Sequence, residues 1–239
     1  MGRLSVNLCG IELDNPVIPA SGTFGYGYEF AELYDINCLG TFSFKGTTEQ
    51  ARFGNPTPRI AECSSGMLNS VGLQNPGADK VISEELPKLA KCFSKPVMAN
   101  VSGFSTEEYV KVCSLLDKQP QVGWLEVNIS CPNVHGGGMA FGTDPAAAAE
   151  VTAAVKKVTT KPVIIKLSPK LGKRAVDSFH QVLVAHKASR PDDKKSAIPE
   201  YSRFGDENQT NRCSGARVSR CGRRYHSDAS GSRPNCRIR

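Results

Sequence analysis

The sequence has little of several things, and each shortage removes a class of protein. Its nine cysteines are scattered over 239 residues with no C-x-x-C pair. That spacing supports neither a zinc site nor a disulfide framework, and in a reducing compartment most of them are expected to be ordinary buried thiols. No apolar run approaches the roughly 20 residues that span a bilayer. Met1 to Asn7 lacks the apolar stretch of a signal peptide. The expectation is a soluble, cytoplasmic protein with no membrane partner. Acidic residues are scarce only at one end: residues 1–170 carry 15 Lys+Arg against 16 Asp+Glu, residues 171–239 carry 15 against 7. The net charge of +7 therefore describes the tail, which also holds eleven of the fourteen arginines. Such a tail invites a nucleic-acid reading, but no recognised binding motif accompanies it, and a solvated tail is expected instead.

What is present is a repeating pattern. Leu4 to Leu13 alternates apolar and polar residues around Cys9-Gly10 and reads as a hairpin. Pro16 to Ala20 reads as a strand, Ala31 to Tyr34 as a short helix and Cys38 to Phe44 as a second strand. Residues 47–76 read as one long loop, a length usually tied to function. A helical stretch from Ala78 to Ala90 should break near Pro87. Pro96 to Val101, Trp124 to Asn128 and Pro162 to Leu167 read as strands. Between them lie a helix opened by the capping box Ser105-Thr106-Glu107-Glu108 and one opened by Asp144-Pro145. Strands alternating with helices predict βα units and a parallel sheet. Polar residues recur at the strand C-termini (Ser21, Lys45, Asn100, Asn128, Lys166), the end that carries catalysis in a TIM barrel.

The predicted fold class is an α/β TIM (β/α)8 barrel with an N-terminal β-hairpin, of which about five of eight strands are recognisable. After Lys170 the pattern stops, and only Gln181 to Ala185 is strand-like. Three further βα units would need about 90 residues at roughly 30 each, and 69 remain. The predicted organisation is a partial barrel over 1–170 and a basic, low-order tail over 171–239, the tail being either disordered sequence or a frameshifted segment.

The segment Glu126-Val127-Asn128-Ile129-Ser130-Cys131-Pro132-Asn133-Val134 leads into His135-Gly136-Gly137-Gly138. It places a thiol just past a strand end between Asn128 and Asn133, whose amides supply paired donors and acceptors for a planar amide-bearing ligand. A small buried cysteine in a turn is the alternative.

Asn128 to Asn133 resembles the active-site motif of class 1 dihydroorotate dehydrogenases. Further segments match in order: Asn15 to Thr23, Lys45 to Thr48, Gly54 to Arg59, Gly66 to Gly77, Asn100 to Gly103 and Lys166 to Pro169. Phe24 to Gly27 and Leu68 to Gly77 are most similar to the NAD-linked, two-subunit class. The resemblance implies an FMN enzyme that oxidises dihydroorotate to orotate in pyrimidine biosynthesis. Cys131 would be the base that takes a proton from C5 while a hydride leaves C6 for the flavin. It implies that Lys45, Asn69, Ser70, Val71, Gly72, Leu73 and Asn128 contact the substrate. Ser21, Lys45, Gly46, Asn100, Asn128 and Lys166 would contact FMN, with Lys166 beside N1 of the reduced ring. It also implies a partner subunit carrying FAD and an iron–sulfur cluster, in a homo-oligomer or heterotetramer, and no metal site in this chain.

The sequence departs from that family in one respect. The glycine-rich turns that cradle the FMN phosphate, and the later Asn-Thr pair, have no counterpart in residues 171–239. Two alternatives follow: an incomplete, inactive barrel produced by truncation or frameshift, and a barrel like that of dihydropyrimidine dehydrogenase, which also uses a cysteine base.

Overall fold

The computed structural model of the chain describes residues 2–64, 66–130, 142 and 144–167. Cys131, Asn133 and the expected tail 171–239, with its strand-like run from Gln181 to Ala185, lie outside the described residues. The chain opens with the expected hairpin, β1 (Val6–Leu8) paired antiparallel with β2 (Ile11–Leu13). Its two-residue turn has Cys9 at φ 51° and Gly10 at φ 89°, both on the positive side that matches strand twist. Asn7 Oδ1 accepts from the Gly10 N–H at 2.9 Å.

Two expected strands take another form. Pro16 to Ala20 is extended but not a regular strand, because Pro16 and Pro19 have no N–H to give a ladder. The segment offers carbonyls instead: Gly40 N–H donates to Val17 O (3.1 Å) and Ser43 N–H to Pro19 O (3.0 Å). The helix expected at Ala31 to Tyr34 sits earlier, as α1 (Tyr28–Ala31). The strand expected at Cys38 to Phe44 is no regular strand: Asp35 caps a 3-10 turn over Ile36–Cys38, its side chain accepting from Asn37 N–H at 2.9 Å, and beyond it only isolated bridges pair Ser43 with Met98 and Thr47 with Val101. Only beyond this turn does the chain join the sheet, Phe44 N–H donating to Met98 O and Thr47 N–H to Asn100 O.

The expected loop 47–76 contains a second antiparallel hairpin, β3 (Ile60–Cys63) with β4 (Gly66–Asn69). Every residue of these two strands is exposed, so the hairpin shows none of the one-sided burial that produces a legible alternation. The following helical stretch is α2 (Ala78–Lys80), a π-type turn over Val81–Glu85, and α3 (Leu86–Leu89). Pro87 cannot donate to Ser83. The ladder widens just before it, and Leu86 N–H reaches back to Val81 O.

The core of the molecule is a parallel sheet in the order β5 (Val97–Val101), β6 (Val122–Asn128), β7 (Val163–Lys166). The crossovers are α4 (Thr106–Asp117) and α5 (Pro145–Val158). Ser105 Oγ caps α4 by accepting from Glu108 N–H, as expected, but the Glu108 carboxylate does not close the box. It accepts instead from Phe104 N–H (2.8 Å) and Glu49 N–H (3.1 Å). Asp144 caps α5, its side chain accepting from Ala146 N–H.

Strand alternation sorts the sheet into two faces. Val97, Ala99, Val101, Leu125 and Val127 join the main core, which also holds Val112, Leu116, Val151 and Val155 of the crossover helices. Met98 and Trp124 belong to the other face, in a second cluster with Leu13 and with Ile164 packed against it. That cluster is where the hairpin docks: Trp124 is fully buried, and its indole N–H donates to Leu8 O at 3.1 Å. Burying each such large side chain contributes about 1.5–3 kcal/mol. Further along the same alternation, towards the strand C-termini, stand Asn100, Glu126, Asn128 and Lys166. This face is thus apolar at one end and polar at the other. Among the described residues no helix is long and apolar enough to cross a membrane.

Candidate active site

The polar end is built by one residue step on each strand. Asn100 and Glu126 are register partners across β5 and β6, and Asn128 and Lys166 across β6 and β7. Asn100, Glu126 and Asn128 are all buried, so each needs internal partners. They find one another. Asn100 Nδ2 donates to Glu126 Oε1 at 3.0 Å, and Asn128 Nδ2 donates to Asn100 Oδ1 at 3.3 Å. Asn128 Oδ1 accepts from the backbone N–H and the hydroxyl of Ser130 at 3.2 and 2.9 Å. Tyr109, buried on α4, donates to the Asn128 carbonyl at 2.9 Å and fixes the end of the strand from behind. Lys166 Nζ lies 3.5 Å from Glu126 Oε1 and donates to Ser21 Oγ at 2.8 Å.

Gly46 completes this wall. A Cβ there would meet Asn100 Oδ1 at 2.8 Å, Ser102 Oγ at 3.2 Å and Leu73 Cδ2 at 3.3 Å. The absence of a side chain is what lets these groups converge. Ser102 Oγ is buried without a hydrogen-bond partner among the described residues, and so is Ser43 Oγ. Phe42 and Phe44 pack into the main core, so alternation turns Ser43 and Lys45 toward the opposite face.

The loop from Asn69 to Leu73 is held from outside. Asn55 donates through its backbone N–H to Val71 O (2.9 Å) and through Nδ2 to Ser70 O (2.9 Å) and Ser70 Oγ (3.1 Å). Arg59 donates to Phe53 O and Asn55 O and also pairs with Gln74. Leu73 takes the left-handed conformation at φ 58°, a cost for a non-glycine residue, and Asn75 Nδ2 holds its carbonyl at 2.8 Å. Asn69 and Ser70 are exposed, and among the described residues no hydrogen bond joins either of them to the buried cluster. A cavity of about 600 Å³ opens beside Lys45, with Gly25, Tyr26, Arg52, Gln74 and Asn75 in its wall. Burial, and then the charge of Glu85, pushes the Tyr26 hydroxyl above its ordinary range, so it stands there as a neutral phenol.

The structure therefore gathers Ser21, Gly46, Leu73, Asn100, Asn128 and Lys166, six residues expected from the sequence. Asn69 and Ser70 stay at the surface, and Cys131 lies outside the described residues. Three polar residues were not anticipated: Glu126, Ser43 and Ser102. Glu126 carried a legible signal, a charge in the middle of the apolar run Trp124-Leu125-Glu126-Val127.

This arrangement agrees with the comparison to known proteins, where the dihydroorotate dehydrogenase model matches residues 3–189. The chain belongs to the dihydroorotate dehydrogenase family. Its relatives include the dihydroorotate dehydrogenase B (NAD(+)) catalytic subunit of Anoxybacillus flavithermus, 58% identical over 169 residues, which are 71% of this chain and 54% of the relative. The same subunit of Enterococcus faecalis strain OG1RF is 56% identical over 166 residues, 70% of this chain and 53% of the relative. The chain thus spans about half the length of the curated relatives it matches. A solved dihydroorotate dehydrogenase from Eimeria tenella, in complex with ferulenol, superposes with a TM-score of 0.63 over 77% of this chain and 57% of that one, at 18% identity. The likeness at that identity concerns the fold alone, and it agrees with the TIM-barrel class read from the sequence.

Proposed function

We propose that this chain carries the strand-end face of a flavin site that oxidises dihydroorotate to orotate in pyrimidine biosynthesis. The observation that carries the reading is the continuous polar chain from Ser21 through Lys166, Glu126, Asn100 and Asn128 to Ser130. It draws side chains from separate strand ends to one buried wall, and the residue after it in sequence is Cys131.

The donor set fits FMN. A flavin ring presents a row of alternating acceptors and donors, and the wall offers two amides, a hydroxyl and an ammonium. Ser43 and Ser102 add buried hydroxyls that have no partner among the described residues. Gly46 leaves the space a Cβ would fill. Ser21, Lys45, Gly46, Asn100, Asn128 and Lys166 would hold the cofactor. FMN, when bound, supplies the acceptor for the hydride that leaves C6 of dihydroorotate. Lys166 sets a fixed positive charge where negative charge develops on reduction, a preorganised form of stabilisation. Lys45 pairs with the substrate carboxylate. Asn69 to Leu73, with Asn128, contact the pyrimidine, and Cys131 takes the C5 proton as general base. The relatives are catalytic subunits by name, which supports a partner subunit carrying FAD and an iron–sulfur cluster.

A second reading has one observation in its favour. All four residues of β7 are only half-buried, whereas every residue of β5 and β6 is buried. On that reading residues 1–170 are a partial barrel, 171–239 a basic tail, and flavin is not retained. One experiment separates the two. Full-length protein is titrated with FMN and then mixed anaerobically with dihydroorotate. Stoichiometric visible flavin absorbance that bleaches on mixing supports the enzyme, and protein that stays colourless supports the partial barrel.

A further inference from the structure

Glu126 has no part in the reaction as derived above, yet it sits in the middle of the site. It is a buried carboxylate on β6, its side chain only 10% exposed, with Asn100 on one side and Lys166 on the other. We infer that Glu126 is the positioning residue of this site: its carboxylate fixes the donor–acceptor order of the Asn100–Asn128–Ser130 chain and balances the charge of Lys166.

The direction of the chain follows from its two ends. An amide side chain can be turned either way about its last bond, and only its neighbours decide which. At one end the backbone N–H of Ser130 can only donate, so Asn128 must present Oδ1 to it. At the other end an ionised carboxylate can only accept, so Asn100 must present Nδ2 to Glu126. The contact in the middle is then forced to be Asn128 Nδ2–H to Asn100 Oδ1, as observed. All three bonds agree, so the chain has one polarity and no competing arrangement. Asn100 retains one N–H and one lone pair for a ligand, whereas Asn128, whose oxygen already accepts twice from Ser130, retains one N–H. Their order along the wall is what a ligand with fixed donors and acceptors must match.

The charge argument is separate. Without Glu126, the Lys166 ammonium would be held by the Ser21 hydroxyl alone among the hydrogen bonds of the described residues. With Glu126 at 3.5 Å, the pair is neutral before a ligand arrives. The wall therefore meets a ligand with local dipoles and one compensated ammonium, not with a bare cation. This inference rests on the proposed function for the identity of the ligand, but not for the order of the chain.

The test uses the full chain without flavin, so that its failure and failure of the functional reading are distinguishable. The readouts are the side-chain amide resonances of Asn100 and Asn128 and the ammonium resonance of Lys166 in isotope-labelled protein. Glu126→Gln keeps an acceptor oxygen and removes the charge. It should shift the Lys166 signal and the Asn100 pair while the Asn128 pair stays in place. Glu126→Met removes both and should shift all three. A residue that merely fills space would leave the Asn128 pair unmoved in folded E126M, and that result overturns the inference. Should E126M not fold, E126Q decides alone, and unmoved Asn100 and Lys166 signals in it overturn the inference. FMN titration of the same samples then tests the functional reading independently.

Discussion

Lys166 and Ser21, 145 positions apart, meet at 2.8 Å, the lysine ammonium donating to the serine hydroxyl. The bond joins the turn that follows Pro16 to Ala20 to β7, across the wall that β5 and β6 complete. Replacing Lys166 by Met removes this bond and leaves the buried carboxylate of Glu126 without its countercharge. Lys166→Met should lower the unfolding free energy by about 1–3 kcal/mol, the usual cost of stranding such a group, and weaken FMN affinity at least about tenfold. Urea unfolding and flavin titration measure the two effects. Unchanged flavin affinity in a folded variant would remove Lys166 from the site.

Cys131→Ser tests the proposed base. A hydroxyl is a far weaker base than a thiolate near neutral pH. Flavin content should stay that of the parent protein, while the rate of flavin reduction by dihydroorotate falls by about 10²–10⁴-fold, the usual contribution of a general base. Stopped-flow absorbance under anaerobic conditions reads both.

Cys113 provides a pH test of the core. It is fully buried on α4, and burial, reinforced by the charge of Asp117, pushes its thiol from 9.0 up to about 12. The folded state thus keeps its proton where the unfolded chain releases it. The stabilisation is complete below pH 9 and is lost as the pH rises from 9 toward 12. Urea midpoints should fall across that range, and less steeply in Cys113→Ala. The exposed Cys38 and Cys63 should react with a thiol reagent at neutral pH while Cys113 does not.

Asp117 works in the opposite direction. Burial alone would raise its carboxyl, but hydrogen bonds from the Thr159 hydroxyl and from the Lys161 and Thr160 N–H groups outweigh burial and hold it below the usual value. A lowered carboxyl contributes stability that is present above the unfolded value of 3.8 and lost as the pH falls through the folded one. Asp117→Asn should cost about 1–2 kcal/mol at neutral pH and flatten the acid limb of a stability curve below pH 4. An acid limb identical to that of the parent would exclude the assignment.

Much of this architecture was legible in the sequence because local chemistry and the final packing agree. Val97–Val101, Val122–Asn128 and Val163–Lys166 form where their apolar runs predicted, and Ser105 and Asp144 cap the helices they precede. Prediction failed where a backbone rule outweighed composition. Pro16 and Pro19 break a ladder their neighbours favour, and Asp35 turns Ile36–Cys38 into a 3-10 turn. The hairpin Ile60–Cys63/Gly66–Asn69 was invisible because neither of its faces is buried. At the site, strand-end residues such as Asn100 and Lys166 could be picked out by position. Glu126 stood out only as a charge in an apolar run, with no hint of its partners on other strands, and Ser43 and Ser102 could not be picked out at all, because their importance lies in buried hydroxyls that no described residue satisfies.

The hairpin beneath the sheet sets an order of events during synthesis. Leu8 receives the Trp124 indole from 116 positions away, and Leu13 shares its cluster with Met98 and Trp124. The hairpin therefore finds its place late, because its contacts belong to residues made much later. Until β5 and β6 emerge, β1 and β2 lack the sheet they pack on, and a lone two-stranded hairpin is marginal in water. Closure of the sheet floor waits on Trp124, and so does protection of the hairpin.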